Sequence, residues 1–185
     1  MNEKAVAVPG ILRVHLCPKV ASRSMFEAFH QERRAALVDV NEDAGEWRFH
    51  CVRHPLDRLV SLWAYFCMGG GLNGQPQVAK LGYYERQRFP EFLDVVCEKH
   101  DQNIHTRRQI AFAGPRQADQ LVRYERLTEE WAELVRRFPD VKMRRELPRI
   151  HVTSHRPWMD YYTDDMRERA EDVFAPDLEL YARAR

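Results

Sequence analysis

An α/β domain with a mainly parallel central sheet flanked by helices is the fold class that the sequence predicts, and three stretches predict it. In each, a short apolar run bounded by a turn signal gives way to helical periodicity. Residues 11–17, an apolar strand interspersed with Arg13 and His15, precede Met25, Phe26 and Phe29 on one helix side. Residues 47–53 precede Leu59, Leu62, Trp63 and Phe66, and residues 120–125 precede Trp131, Leu134, Val135 and Phe138. In sheets of this kind ligands sit beyond the carboxyl ends of the strands, so the residues that follow each strand are the ones to inspect.

In chain order, residues 1–9 read as a loose lead-in. The first strand stops at Pro18, and Ser22 or Ser24 caps a helix that fades near Arg33. Residues 35–40 form a second strand, and an acidic loop over 41–46 leads into the strand that delivers Arg53. Pro55 opens a helix reaching Cys67. The run from Gly69 to Gly74 matches G-x-G-x-x-G in letters but follows a helix and opens none, so it reads as a loop. Residues 89–100 are helical, Thr128 caps the helix of Trp131, and Thr163 caps a closing helix over 164–174 that a further helix follows. With 185 residues, the expected organisation is a single domain spanning 1–185.

Lysine plus arginine total 29 against 28 acidic residues, a net charge of +1, which argues against a general nucleic-acid binder. No apolar stretch reaches a membrane span, and the start Met1-Asn2-Glu3-Lys4 lacks a signal-peptide core. The expectation is a cytoplasmic protein with neither nucleic acid nor membrane as partner; its oligomeric state is not legible. Cys17, Cys51, Cys67 and Cys97 lie far apart in apolar segments and read as reduced thiols. None of the eight histidines falls in a metal-binding spacing, so metal-free chemistry is expected.

The turn after the first strand carries Lys19, Ser22, Arg23 and Ser24, two cations and two hydroxyls at the entry of a helix, a combination suited to phosphate or sulfate. The strand over 47–53 ends in Arg53, with Ser61 eight residues on, inside the next helix. The turn holds no glycine and so departs from a Walker A loop. It resembles instead the 5′-phosphosulfate loop of sulfotransferases, where Pro-Lys is followed by small and hydroxyl residues. Arg53 and Ser61 resemble that family's 3′-phosphate pair in order and spacing. Asn103 to Gln109 resembles a His-x-x-x-Gln segment of carbohydrate sulfotransferases, and Arg123-Tyr124-Glu125 resembles the family's strand, Tyr-Glu, helix unit.

The resemblance implies a P-loop-like nucleotide-binding fold and a sulfotransferase dependent on 3′-phosphoadenosine 5′-phosphosulfate (PAPS) as co-substrate. The closest branch is the carbohydrate (Golgi-type) one, in a short soluble form, with a small-molecule or glycan acceptor offering a hydroxyl or amine. It implies Lys19 at the leaving oxygen, Lys19, Ser22, Arg23 and Ser24 at the 5′ end, and Arg53 and Ser61 at the 3′-phosphate. A basic loop before the closing helix adds Arg156, with His155 beside it. For the general base, Glu42 and His105 stand level, with Asp43 and His30 also in view. A nucleotide kinase-like phosphoryl transferase and a non-catalytic nucleotide-binding module remain alternatives. Simpler readings stand beside these: Arg53 pairs with Asp57 or Glu42, His54 makes local hydrogen bonds, and Trp63, Trp131, Tyr161 and Tyr162 pack.

Overall fold

The computed structural model describes residues 3–42, 45–69, 79–114, 117–150 and 153–185. Five strands form one sheet: β1 (Lys4–Val8), β2 (Leu12–His15), β3 (Ala36–Asp39), β4 (Trp47–Val52) and β5 (Gln120–Arg123), in the order β3-β1-β2-β4-β5. β2 pairs with β4 and β4 with β5 in parallel, whereas β1 is antiparallel to both of its neighbours. The sheet is therefore mixed, which corrects the expectation of a mainly parallel one. The residues responsible are those read as a loose lead-in. Ala5, Val6, Ala7 and Val8 are all buried, and the chain reverses into β2 through Gly10, whose φ of 70° suits glycine, with the Ile11 N–H donating to the Val8 carbonyl. Two alanines gave this strand too little hydrophobic signal to register.

Because β3 and β2 are both antiparallel to β1, they run the same way as each other and as β4 and β5. The turns after β2, β3 and β4 thus open at one end of the sheet. β3 nevertheless lies two strands, about 10 Å, from β2.

One sheet face carries Leu12, Val14, Phe49, Cys51 and Val122 and packs on Met25, Phe29, Trp131 and Leu134. The helices are α1 (Ser22–Glu27), α2 (Pro55–Trp63), α3 (Phe89–Lys99), α4 (Leu127–Arg137), α5 (Asp164–Val173) and α6 (Ala175–Arg183). α1 is shorter than the sequence implies, its end passing into successive single turns at Ala28, Phe29 and Glu32. Its N-cap is Ala21, without a side-chain bond, so neither Ser22 nor Ser24 caps it. Pro55 opens α2 as expected, and the helix continues as a π-helical turn over Ala64–Met68. Thr128 falls inside α4 rather than capping it, whereas Thr163 does cap α5, accepting from the Met166 N–H at 3.3 Å. A second core joins α2, α3 and α5 through Leu59, Leu62, Phe66, Phe92, Val96 and Phe174. All four cysteines are free thiols. Among the described residues no helix is long and apolar enough to cross a membrane, and no group of three or more His, Cys, Asp or Glu is placed to hold a metal. Asp43 and the stretch 70–74 lie outside the described residues.

The other sheet face buries polar groups. Register sets Arg13 opposite Arg48 and so brings His15 beside His50, with rings stacked at 5.2 Å. Arg13 donates to the Asp39 carbonyl at 2.8 Å and to Glu46 at 3.3 Å. His15 Nδ1 lies 2.5 Å from the Phe112 carbonyl, which fixes the proton on that nitrogen and leaves Nε2 an acceptor. Among the described residues neither His15 Nε2 nor either nitrogen of His50 has a hydrogen-bond partner. Burial, with Arg48 and Arg13 nearby, holds His15 at about 4, and burial together with His15 keeps His50 well below the ordinary histidine range.

These two histidines make the fold acid-sensitive. Above pH 6.5 neither state carries the protons; below it the unfolded chain binds them while the folded protein does not. Stability therefore falls as pH drops from about 6.5 toward 4, by about 1.4 kcal/mol per pH unit for each histidine. Urea midpoints measured between pH 7 and pH 4.5 should decline over this window. His50→Leu, which removes two unpartnered nitrogens, should flatten the decline by one histidine's share; a pH-independent midpoint in the parent protein would contradict the assignment.

Candidate active site

The turn between β2 and α1 is built from two residues in the left-handed region, Lys19 at φ 64° and Ala21 at φ 53°. Non-glycine residues adopt this conformation only where the surroundings impose it. Here the Pro18 carbonyl accepts from Arg58 Nε at 3.0 Å and the Lys19 carbonyl from Arg53 Nη1 at 3.4 Å. The Lys19 ammonium sits 4.4 Å from the centre of the Tyr65 ring, which the π-helical turn after α2 delivers. Burial, and then the charge of Arg53, lower Lys19 to about 8. Of the other turn residues, Ser24 is buried and Ser22 partly so. Arg23 is 60% exposed and pairs with Glu27 at 2.7 Å on the surface of α1, pointing along its own helix.

Arg53 follows β4 directly and is held from every side. Its backbone N–H donates to Gln109 Oε1 at 3.0 Å, and its carbonyl accepts from Gln109 Nε2 at 2.8 Å, so one amide side chain pairs with it as a neighbouring strand would. The Gln109 backbone N–H in turn donates to the buried carboxylate of Asp177 on α6, at 2.7 Å. The Arg53 guanidinium donates through Nε to Asp57 at 2.6 Å, stacks 4.8 Å from the Tyr124 ring centre, and lies 3.3 Å from His155 Nε2. His155 Nδ1 is 2.8 Å from the Arg156 carbonyl, which puts the proton on Nδ1 and leaves Nε2 to accept from Arg53. The expected pairing with Asp57 is therefore present. A guanidinium carries five N–H groups; three are engaged among the described residues, which leaves one on each terminal nitrogen.

Ser61 is buried on α2 and shares a 2.9 Å hydrogen bond with the Thr153 hydroxyl. Thr153 on Ser61 and His155 on Arg53 lay one extended segment along both members of the expected 3′-phosphate pair. Arg156, two residues after Ser154, instead covers the Tyr161 ring at 5.2 Å. Among the described residues His54 does not make the local side-chain hydrogen bonds expected of it: its ring stacks on Trp158 at 4.7 Å and its Nδ1 has no partner.

Of the two candidate bases, His105 lies with the turn. Its ring meets Phe66 edge-on at 5.5 Å, its carbonyl accepts from Arg58 Nη2 at 2.9 Å, and burial, then Arg58, then Lys19 lower it to about 4. It is neutral at physiological pH and electrostatically coupled to Lys19. Glu42 is exposed beyond β3, its backbone bonded to the Asp39 carbonyl. These contacts thus join Lys19, Arg53, His155 and His105, with Ser61 reached through Thr153, whereas Arg23 and Arg156 make theirs with Glu27 and Tyr161 and Glu42 is exposed after β3. Sequence reading missed Tyr65, Arg58, Thr153 and Asp177. Arg58 carried a signal, a charged residue on the inward face of α2 beside Leu59 and Leu62.

Cations at the ends of adjacent parallel strands, one on a strand–turn–helix unit and one gripped by backbone and ring contacts, define an α/β protein equipped for a ligand with two anionic ends. The family model described as the sulfotransferase family matches residues 17–182, from the turn to the closing helix, and the chain belongs to that family. No curated protein and no solved structure matches the chain.

The repulsion between Lys19 and Arg53 is measurable. In isotope-labelled protein the Lys19 ammonium should titrate near 8, and Arg53→Met should raise that value. An unchanged Lys19 titration would mean that the two charges do not face each other.

Proposed function

We propose that the protein transfers the sulfuryl group of PAPS to a hydroxyl on a carbohydrate acceptor. Family membership supports sulfuryl transfer in general. The observation that carries the finer reading is Arg53 Nη1 on the Lys19 carbonyl: the two segments expected to grip opposite ends of one adenylate meet in space. PAPS supplies the activated sulfuryl group. Lys19, with the turn around Ser22 and Ser24, binds its 5′ end and meets the negative charge that develops on the bridging oxygen as the S–O bond breaks. Arg53, through its two unengaged N–H groups, and Ser61 bind the 3′-phosphate, with Thr153 and His155 giving way or sharing the contact. Arg23 and Arg156 stand at the margin and contribute through their charge. His105, neutral and coupled to Lys19, takes the proton of the acceptor hydroxyl as its oxygen bonds to sulfur; Glu42 is the weaker candidate because β3 is displaced by β1. The protein acts in the cytoplasm on a small-molecule or glycan acceptor, without nucleic-acid or membrane partners.

Calorimetry with adenosine 3′,5′-bisphosphate beside ATP tests the donor, and a sulfate-transfer screen over sugars tests the acceptor; preference for ATP would favour phosphoryl transfer instead. Lys19→Ala should leave bisphosphate binding nearly intact while slowing transfer by about 10²–10³-fold, the scale of a lost oxyanion donor. Equal loss of both would remove its transition-state role. Arg53→Ala should weaken the 3′-phosphorylated nucleotide but hardly affect its 3′-dephospho form. Since His105 must be unprotonated and Lys19 protonated, kcat/KM should rise with pH through about 4 and fall through about 8. A profile with no basic limb in that region would count against Lys19.

A further inference from the structure

Arg58 is a buried cation that none of the expected roles uses. It lies on α2, is 1% exposed, and its guanidinium forks between two carbonyls distant in sequence: Nε to Pro18 at 3.0 Å and Nη2 to His105 at 2.9 Å. One of these carbonyls immediately precedes Lys19; the other belongs to the residue assigned as base. We propose that Arg58 is the positioning residue of the site, a rigid spacer that fixes the Lys19 turn and His105 relative to each other. The inference rests on the sulfuryl-transfer reading and extends it.

Three features make the guanidinium, rather than any cation, the part required. The group is planar, so two donors on one edge fix the separation and mutual orientation of the two carbonyls, whereas an ammonium is a single point on a flexible stem. The carbonyl it holds at Pro18 belongs to a turn with Lys19 and Ala21 in the left-handed region, a conformation that needs external restraint. Among the described residues the site's other restraints hold one segment each: Arg53 holds the turn at the Lys19 carbonyl, at 3.4 Å, and Asn103 accepts from the His105 N–H, at 2.8 Å, whereas Arg58 joins the two. Asp177 on α6 interacts electrostatically with the Arg58 charge, and its carboxylate accepts from the N–H groups of Gln109 and Ile110. Arg58 also sets the charge around His105. The ring is faced by Lys19 from the turn, Arg58 from α2, the Phe66 edge from the π-helical turn, and its own segment through Asn103; both cations favour the neutral imidazole.

Arg58→Lys keeps the charge and loses the fork; Arg58→Met loses both. Fold is first verified by thermal melting and far-UV dichroism. In Arg58→Lys, adenosine 3′,5′-bisphosphate affinity should change less than about threefold while kcat falls about tenfold or more, the penalty of a displaced reacting pair. The His105 imidazole, followed by NMR, should titrate near its parent value in Arg58→Lys and clearly higher in Arg58→Met. Undiminished kcat in Arg58→Lys, or nucleotide affinity and kcat falling in parallel, would overturn the positioning role, as would a His105 titration that Arg58→Met leaves in place. If the parent protein does not bind the bisphosphate, the nucleotide reading fails. The NMR comparison still reports on the brace, so the two failures are told apart.

Discussion

Two cations that repel are held together, and the rest of the site follows from what holds them. Lys19 and Arg53 sit on segments that would separate if unconstrained, because like charges repel: burial, and then the charge of Arg53, disfavour the charged form of Lys19. Their approach is enforced by contacts to the backbone: the Lys19 carbonyl accepts from Arg53, and a single glutamine side chain pairs with both polar groups of Arg53. Asp57 supplies the compensating charge on one side of the guanidinium. A ligand carrying anionic groups at both ends would relieve the repulsion, so what destabilises the free protein favours the complex. That is preorganisation in the electrostatic sense: donors fixed before charge arrives.

The reversed strand β1 shapes the site as much as any functional residue. By inserting between β3 and β2 it keeps β3 running in the direction expected but sets it two strands, about 10 Å, from β2. Glu42 and His105 stood level in the sequence because the interval between the two phosphate motifs is short. A strand taken for a lead-in lies across the path from Glu42 to the turn, whereas His105 reaches the turn through Arg58.

What was legible in the sequence were the units written in consecutive residues. Lys19 lies in the turn that follows β2, Arg53 directly follows β4, and Pro55 and Thr163 sit at helix starts where their chemistry allows little else. What was hidden depended on pairing across the chain. Gln109 was visible as part of a motif, but nothing local indicates that its amide serves Arg53, fifty-six residues away. Tyr65 reaches Lys19 because α2 relaxes into a π-helical turn, which rotates the following side chains relative to an α-helical count. Caps failed for a related reason: Ser22 and Ser24 are good cap residues, yet the left-handed Ala21 takes that place. The turn's conformation is set by Arg53 and Arg58, and local propensity yields to it.

A histidine that titrates near 4 is a poor base in water, and its use in the proposed reaction needs a physical reason. Transfer of a sulfuryl group resembles transfer of a phosphoryl group, with bond breaking ahead of bond making, so the acceptor hydroxyl becomes acidic only late and little proton transfer is needed before sulfur is engaged. The value near 4 also belongs to the free protein. Burial sets most of it, and the charges of Arg58 and Lys19 set the rest. Once the anionic nucleotide occupies the turn, the field of Lys19 is compensated and the imidazole regains basicity. Arg58 keeps its effect, because its fork is spent on protein carbonyls. In the proposed reaction His105 would be neutral before the donor arrives and more basic when it is present, while Lys19, freed from unbalanced repulsion, would stay charged for the leaving oxygen. Both changes come from one binding event, since His105 and Lys19 share an electrostatic environment bounded by Arg58 on one side and Arg53 on the other.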